Sequence, residues 1–171
     1  MTNIKVIKGD ITLASVDAIV NAANPVMLGG GGVDGAIHRA AGKQLYEECK
    51  AVAAKDGIRC PTGEARITKA GNLDASYVIH TVGPKYYSDS DPEKMLSSAY
   101  KNSLQLALQY HCKSIAFPAI SCGVYGYPIE QAAKIALDVC MQEDYRELQI
   151  LFYLYNDEAY NAWNELLKLY D

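Results

Sequence analysis

The chain has 171 residues, with 16 Lys and Arg against 20 Asp and Glu for a formal net charge of -4; half of its residues are hydrophobic and 21% are charged. That length and balance suit one globular domain, residues 1–171, that buries enough surface to need no disulfide or metal staple. The acidic excess argues against a partner such as extended nucleic acid or an anionic membrane, which demands a basic face, and leaves small anionic ligands open.

The N-terminus, MTNIKVIKGDIT, carries charge at Lys5 and Lys8 with no signal-peptide run after it. No stretch of about 18 apolar residues is present, so no membrane span is expected. Ile4 to Lys8 alternates apolar and polar residues like a half-buried strand, and Ala18 to Ala22 is a short apolar run. From Val33 to about Ala54, apolar residues recur at Val33, Ile37, Ala40, Ala41, Leu45 and Val52, which predicts one helix with Lys43 and Glu47 paired on its outer face. Ala65 to Thr68 and Tyr77 to Val82 read as strands. Pro92 to about Tyr110 reads as a helix with proline in its first turn. Ser114 to Phe117 predicts a buried strand, Pro128 to about Gln142 a helix, Leu148 to Leu154 a strand, and Glu158 to Tyr170 a closing amphipathic helix. This alternation implies an α/β domain with a largely parallel sheet and a ligand beyond the carboxyl ends of its strands.

Five cysteines, Cys49, Cys60, Cys112, Cys122 and Cys140, form no C-x-x-C pair. An odd, irregular set in a chain without a leader fits the reducing cytoplasm and argues against a structural zinc site, so no metal is expected. His38, His80 and His111 form no recognised ligand pattern.

Two glycine-rich loops carry the chemical signal. Asn24 to Gly35 leaves a strand and opens a helix, with Gly29 to Gly32 in succession. Four missing side chains let backbone N–H groups approach a ligand, and the helix start adds unpaired donors and a positive dipole end. The combination suits phosphate. Ala119 to Pro128 also joins a strand to a helix, with Gly123 and Gly126 for flexibility and no good N-cap residue. Two such loops suggest a diphosphate held between them; tight turns are the alternative.

Gly30, Gly32 and Gly35 satisfy G-x-G-x-x-G, but no acidic residue ends a following strand about 20 residues on, as dinucleotide binding requires. Gly42-Lys43 is followed by Gln44, so no Walker A loop is present, and there is no G-x-S-x-G elbow to make Ser121 a nucleophile.

Gly9-Asp10-Ile11, Val20-Asn-Ala-Ala-Asn24 and Gly29-Gly-Gly-Gly-Val-Asp-Gly-Ala-Ile-His-Arg-Ala-Ala-Gly42 resemble the first half of a macrodomain. Cys60-Pro-Thr-Gly-Glu-Ala, Val78-Ile-His-Thr-Val-Gly-Pro84 and Phe117 to Pro128 continue the likeness in order over nearly the whole chain. It is most similar to the MacroD-type class, in particular the bacterial O-acetyl-ADP-ribose deacetylases. The resemblance implies a three-layer α/β/α fold with a mixed, mostly parallel central sheet, and an ADP-ribose site without a further cofactor. It also implies hydrolysis of esters on the distal ribose, in O-acetyl-ADP-ribose or in mono-ADP-ribosylated acidic side chains of proteins. A binding module without chemistry, and a phosphatase on ADP-ribose 1″-phosphate, remain as alternatives.

Residue roles follow from the resemblance. Asp10 accepts from the adenine amine, with Ile11 beside it; alone, Asp10 reads as a turn or cap residue. Asn24 orients the distal ribose, since an amide donates and accepts at once; alone, it reads as a turn residue before Pro25. Asp34 is the catalytic carboxylate that orients and partly deprotonates a water, with Asn24 its partner; alone, it reads as a first-turn acid. The backbone of Gly32, Val33, Ser121, Gly123, Val124 and Gly126 wraps the diphosphate, and Gly31 and Tyr125 border the distal ribose. Tyr155 stacks on adenine and Asn156 gives it a polar contact; alone, Tyr155 reads as the end of a core strand. Cys122 reads as a loop filler. His38 lies one turn beyond Asp34 and reads as a supporting or core residue, His80 as a core histidine.

Overall fold

A computed structural model describes residues 3–170. Six strands form one sheet: β1 (Ile4–Lys8), β2 (Ala18–Ala22), β3 (Ala65–Lys69), β4 (Tyr77–Thr81), β5 (Ser114–Phe117) and β6 (Gln149–Leu154). Their spatial order is β1-β6-β5-β2-β4-β3. Every neighbouring pair is parallel except β3 on β4, so the sheet is mixed and mostly parallel.

Five helices cover both faces: α1 (Gly32–Ala41), α2 (Lys43–Lys50), α3 (Pro92–Gln109), α4 (Ile129–Cys140) and α5 (Asp157–Lys168). The larger core lies between the sheet and α3, α4 and α5, and includes Ala18, Val20, Ile79, Ile115 and Phe117. The smaller lies under α1 and α2, and includes Ile19, Val78 and Ala116. Alternate residues of β2, β4 and β5 therefore enter opposite cores, which is why these strands read as continuous apolar runs rather than as alternations. Tyr100 of α3, Phe117 of β5, Phe152 of β6 and Trp163 of α5 form a row with ring centroids 5.0, 5.6 and 5.9 Å apart. Each such pair contributes about 0.5–1.5 kcal/mol beyond its burial, and the row ties α3 and α5 to the sheet across the larger core.

One expected element divides. The helix predicted over 33–54 breaks at Gly42, whose φ of 88° lies where a side chain is strained, and residues 51–54 are irregular. The apolar periodicity runs on across the break because α1 and α2 both rest on the same core. Lys43 and Glu47 make no ion pair there. Pro92 stands at the start of α3 as expected, behind Asp91, whose side chain accepts from Lys94 N–H. Pro128 is the N-cap of α4 rather than its first residue. Among the described residues no helix is long and apolar enough to cross a membrane.

Candidate active site

A cleft of about 860 Å³ opens beyond the carboxyl ends of the parallel strands. The segments after β1, β2, β5 and β6 all contribute to it, as the switch-point rule for open α/β sheets requires. Both glycine-rich loops lie on its wall.

The starts of α1 and α4 meet this cleft without side-chain caps. Gly31 and Pro128 are the two N-cap residues, and neither makes a capping hydrogen bond. The first-turn N–H groups of α1, including those of Gly32 and Val33, therefore stay without helical acceptors, since Gly35 is the first to donate, to Gly31 O at 3.1 Å. In the second loop Cys122, Gly126 and Tyr127 donate to Ala119, Gly123 and Ser121 carbonyls, while the N–H groups of Ser121, Gly123, Val124 and Tyr125 have no acceptor among the described residues. Such an array of unpaired donors at two helix starts is an anion cradle.

The second loop is fixed to the segment after β4. Ser121 Oγ donates to Pro84 O at 2.8 Å, and Tyr86 N–H donates to Tyr125 O at 2.9 Å. Ser121 holds a φ of 68°, an unusual conformation for a non-glycine residue that these bonds maintain. Lys85 Nζ lies 5.6 Å from the Tyr125 ring centroid, a cation at the rim that neither loop sequence contains. The Tyr125 hydroxyl is raised above its ordinary range by burial first, then by the negative charges of Asp89 and Asp34.

Asp34 sits in the first turn of α1 and is 5% exposed. Its Oδ1 accepts from Asn21 Nδ2 at 2.8 Å, and His38 Nε2 stands 3.5 Å away without forming a hydrogen bond. Burial pushes the Asp34 carboxyl above its ordinary value, an effect only partly offset by the Asn21 hydrogen bond and by His38. Asn24 is tied on both sides: Nδ2 donates to Gly29 O at 3.1 Å and Oδ1 accepts from Met27 N–H at 3.0 Å. One Nδ2 hydrogen of Asn24 remains for a ligand.

At the other end, Asp10 caps a short 3-10 turn, its Oδ1 accepting from both Thr12 N–H and Thr12 Oγ1. Both readings of Asp10 are compatible, because a carboxylate has a second oxygen to offer. Ile11 is buried beside it on the cleft wall. Tyr155 lies past the end of β6 and is 78% exposed, so it does not end a core strand. Asn156 caps α5, with Oδ1 accepting from Ala159 N–H at 2.8 Å, which leaves its Nδ2 for a contact.

Of the residues expected to contact the ligand, all but one lie on the cleft wall. Gly126 does not: its N–H is taken by Gly123 O, and a Cβ there would meet the Tyr87 ring at 3.2 Å. Val124 is on the wall but fully exposed. Gly83, Pro118, Ile129 and Tyr153, for which the sequence suggests no role, also line the cleft. Tyr153 had a usable signal, since it stands two residues before Tyr155 and strand alternation puts them on one side. Cys122 is a filler in this loop, its thiol pushed up to about 12 by burial.

The Macro domain family model matches residues 20–136. A macro domain-containing protein of Vibrio parahaemolyticus is 60% identical over 167 residues, covering 98% of both chains. The O-acetyl-ADP-ribose deacetylase of Klebsiella pneumoniae is 54% identical over 170 residues, covering 97% of both. The Oceanobacillus iheyensis macrodomain, solved with ADP, superposes with a TM-score of 0.92 at 41% identity, over 98% of this chain and 90% of that one. With the α/β/α layering, the cleft at the strand ends and these likenesses in hand, the chain belongs to the macro domain family.

Proposed function

We propose that the chain binds ADP-ribose in this cleft and hydrolyses esters of its distal ribose, releasing acetate from O-acetyl-ADP-ribose and ADP-ribose from acidic side chains of modified proteins. The observation that carries the reading is the order of the groups along the cleft. Asp10 and Tyr155 follow the neighbouring strands β1 and β6, the second donor loop follows β5, and Asn24 and Asp34 follow β2. A base recogniser, a diphosphate cradle and a carboxylate thus succeed one another at the strand spacing of about 4.8 Å, matching the order of adenine, diphosphate and distal ribose.

In this reading the adenine stacks on Tyr155 and donates its amine to the free oxygen of Asp10, with Ile11 against the ring. The diphosphate takes the N–H groups of Gly32, Val33, Ser121, Gly123 and Val124, with Gly126 shaping the loop behind them. Gly31 and Tyr125 border the distal ribose, and Asn24 orients its hydroxyls. Asp34 accepts a proton from a water as the water oxygen bonds to the ester carbonyl carbon. Collapse of the tetrahedral intermediate breaks the bond to the ribose oxygen, which takes back the proton held by Asp34 to become a hydroxyl and so restores the carboxylate; the released acid gives its own proton to solvent and leaves as carboxylate. A carboxyl held above its ordinary value is a better base than a solvated one, provided it is still ionised at working pH. The five free thiols support a reducing compartment such as the cytoplasm.

The test is incubation with O-acetyl-ADP-ribose, following acetate and ADP-ribose together. Stoichiometric release of both supports the hydrolase; binding without release makes the chain a reader of ADP-ribose.

A further inference from the structure

The carboxylate of Asp34 rests on a buried polar chain that runs away from the cleft, through the layer between the sheet and α1 and α2. Asn21 of β2 is fully buried, and its Nδ2 lies 2.8 Å from Asp34 Oδ1 and 3.2 Å from His80 Nδ1. An ionised carboxylate only accepts, so the amide nitrogen must face Asp34, and its second hydrogen requires a bare Nδ1 on His80. The His80 proton is then on Nε2, which stands 3.0 Å from Thr68 Oγ1 and 3.6 Å from Cys49 Sγ. Thr68 gives its own hydrogen to Lys69 O at 3.1 Å, so its oxygen is free to accept from Nε2. Each link therefore has one direction, ending on a backbone carbonyl of β3. Asn21 Oδ1 is buried without a partner, so the amide orientation is set from its nitrogen side alone.

We propose that His80 is a positioning residue for Asp34: as a fixed neutral acceptor behind Asn21, it holds the amide, and through the amide the carboxylate, with Oδ2 directed toward Gly30 and the cleft. The proposal rests on the hydrolase reading for its consequence in catalysis. His80 suits this task because complete burial, with the nearby His38 charge second, lowers it to about 3 and keeps it uncharged. Were Nδ1 protonated, the amide would turn and present Oδ1 to a carboxylate, a repulsive contact that would displace Asp34. The groups facing Asp34 are His38 from its own helix, Asn21 from β2 and Tyr125 from the second loop, with Cys49 of α2 within its field. Those facing His80 are Asn21, Thr68, Cys49 and His38.

Three variants test this. His80→Leu removes the acceptor, His80→Asn keeps an acceptor oxygen near the Nδ1 position, and Thr68→Val removes the oxygen that fixes the tautomer. The expected result for His80→Leu and Thr68→Val is a fall in kcat of about 10- to 100-fold with KM and ADP-ribose affinity held, as for small misplacements of catalytic groups. The acid limb of their pH–rate profiles should move, and His80→Asn should recover most of the rate. Parental kcat and an unmoved acid limb in His80→Leu would overturn the proposal. So would a parallel loss of rate and ADP-ribose affinity that His80→Asn does not recover. If His80→Leu does not fold, Thr68→Val decides on the same readouts. A parent that binds ADP-ribose but releases no acetate would overturn the hydrolase reading instead. The positioning claim then stands or falls on a 13C NMR titration of the Asp34 carboxyl: it should shift in Thr68→Val, and an unchanged titration would overturn it.

Discussion

Asp34 and Asn24 meet across one glycine. A Cβ placed on Gly30 would lie 3.1 Å from Asp34 Oδ2 and 3.2 Å from Asn24 Nδ2. The absence of a side chain there leaves a carboxylate oxygen and an amide donor on the same few ångströms of cleft wall. In Gly30→Ala the methyl must push both groups aside by a few tenths of an ångström. Because catalytic groups tolerate misplacement poorly, kcat for O-acetyl-ADP-ribose should fall about tenfold or more, with a smaller change in ADP-ribose affinity. Steady-state kinetics beside calorimetric binding checks this, and parental kcat in a folded variant would refute it.

The pH dependence follows from the raised carboxyl of Asp34. The folded chain holds this proton more tightly than the unfolded chain, where the group titrates near 3.8. Folding stability from this group is therefore largest below that value and falls as pH rises through the folded value. Asp34→Asn should accordingly gain stability relative to the parent as pH is raised from 4 towards neutrality, which chemical denaturation at several pH values measures. In the proposed mechanism catalysis runs the other way, since a base works ionised: the acid limb of kcat should inflect above the ordinary aspartate range. An inflection at or below 3.8 would refute the assignment.

Asp10 separates capping from recognition. Its Oδ1 accepts from Thr12 N–H and Oγ1 in the turn after β1. Asp10→Asn keeps a capping oxygen but offers an amide hydrogen where, in the proposed pose, the adenine amine also donates. ADP-ribose affinity should drop while thermal stability holds. Asp10→Ala should lose both, with about 1 kcal/mol of stability attributable to the cap. Equal ADP-ribose affinity in Asp10→Asn and the parent would remove Asp10 from the adenine site.

All six strands and the helices α3, α4 and α5 were legible, because a sheet covered on both faces writes short apolar runs and its helices write a clear period of 3.6. The break at Gly42 leaves no mark in the apolar pattern, since α1 and α2 share one apolar stripe and only the backbone angle at Gly42 separates them. The two donor loops were legible as runs of free backbone N–H groups at helix starts despite the net charge of -4, because such donors carry no formal charge. What escaped was everything carried by strands distant in sequence. Asn21, His80 and Thr68 stand on β2, β4 and β3; His80 reads from the sequence as the core histidine it is, but nothing in a single strand links it to the other two. Only strand pairing, with Asn21 beside His80 and Arg66 opposite His80, brings them under Asp34. Lys85 is likewise remote from the loop whose Tyr125 it covers.

The most direct measurement is Asp34→Ala assayed for two properties in the same preparation: acetate release from O-acetyl-ADP-ribose and thermal stabilisation by ADP-ribose. Ligand at 100 times its dissociation constant stabilises a protein by about 2.7 kcal/mol, so retained binding is readily seen. The proposed function predicts that the parent turns over, and that the variant keeps the ADP-ribose shift but loses most of its turnover. A variant that turns over like the parent would contradict the role given to Asp34, and a parent with no thermal shift at saturating ADP-ribose would contradict the assignment of the cleft itself.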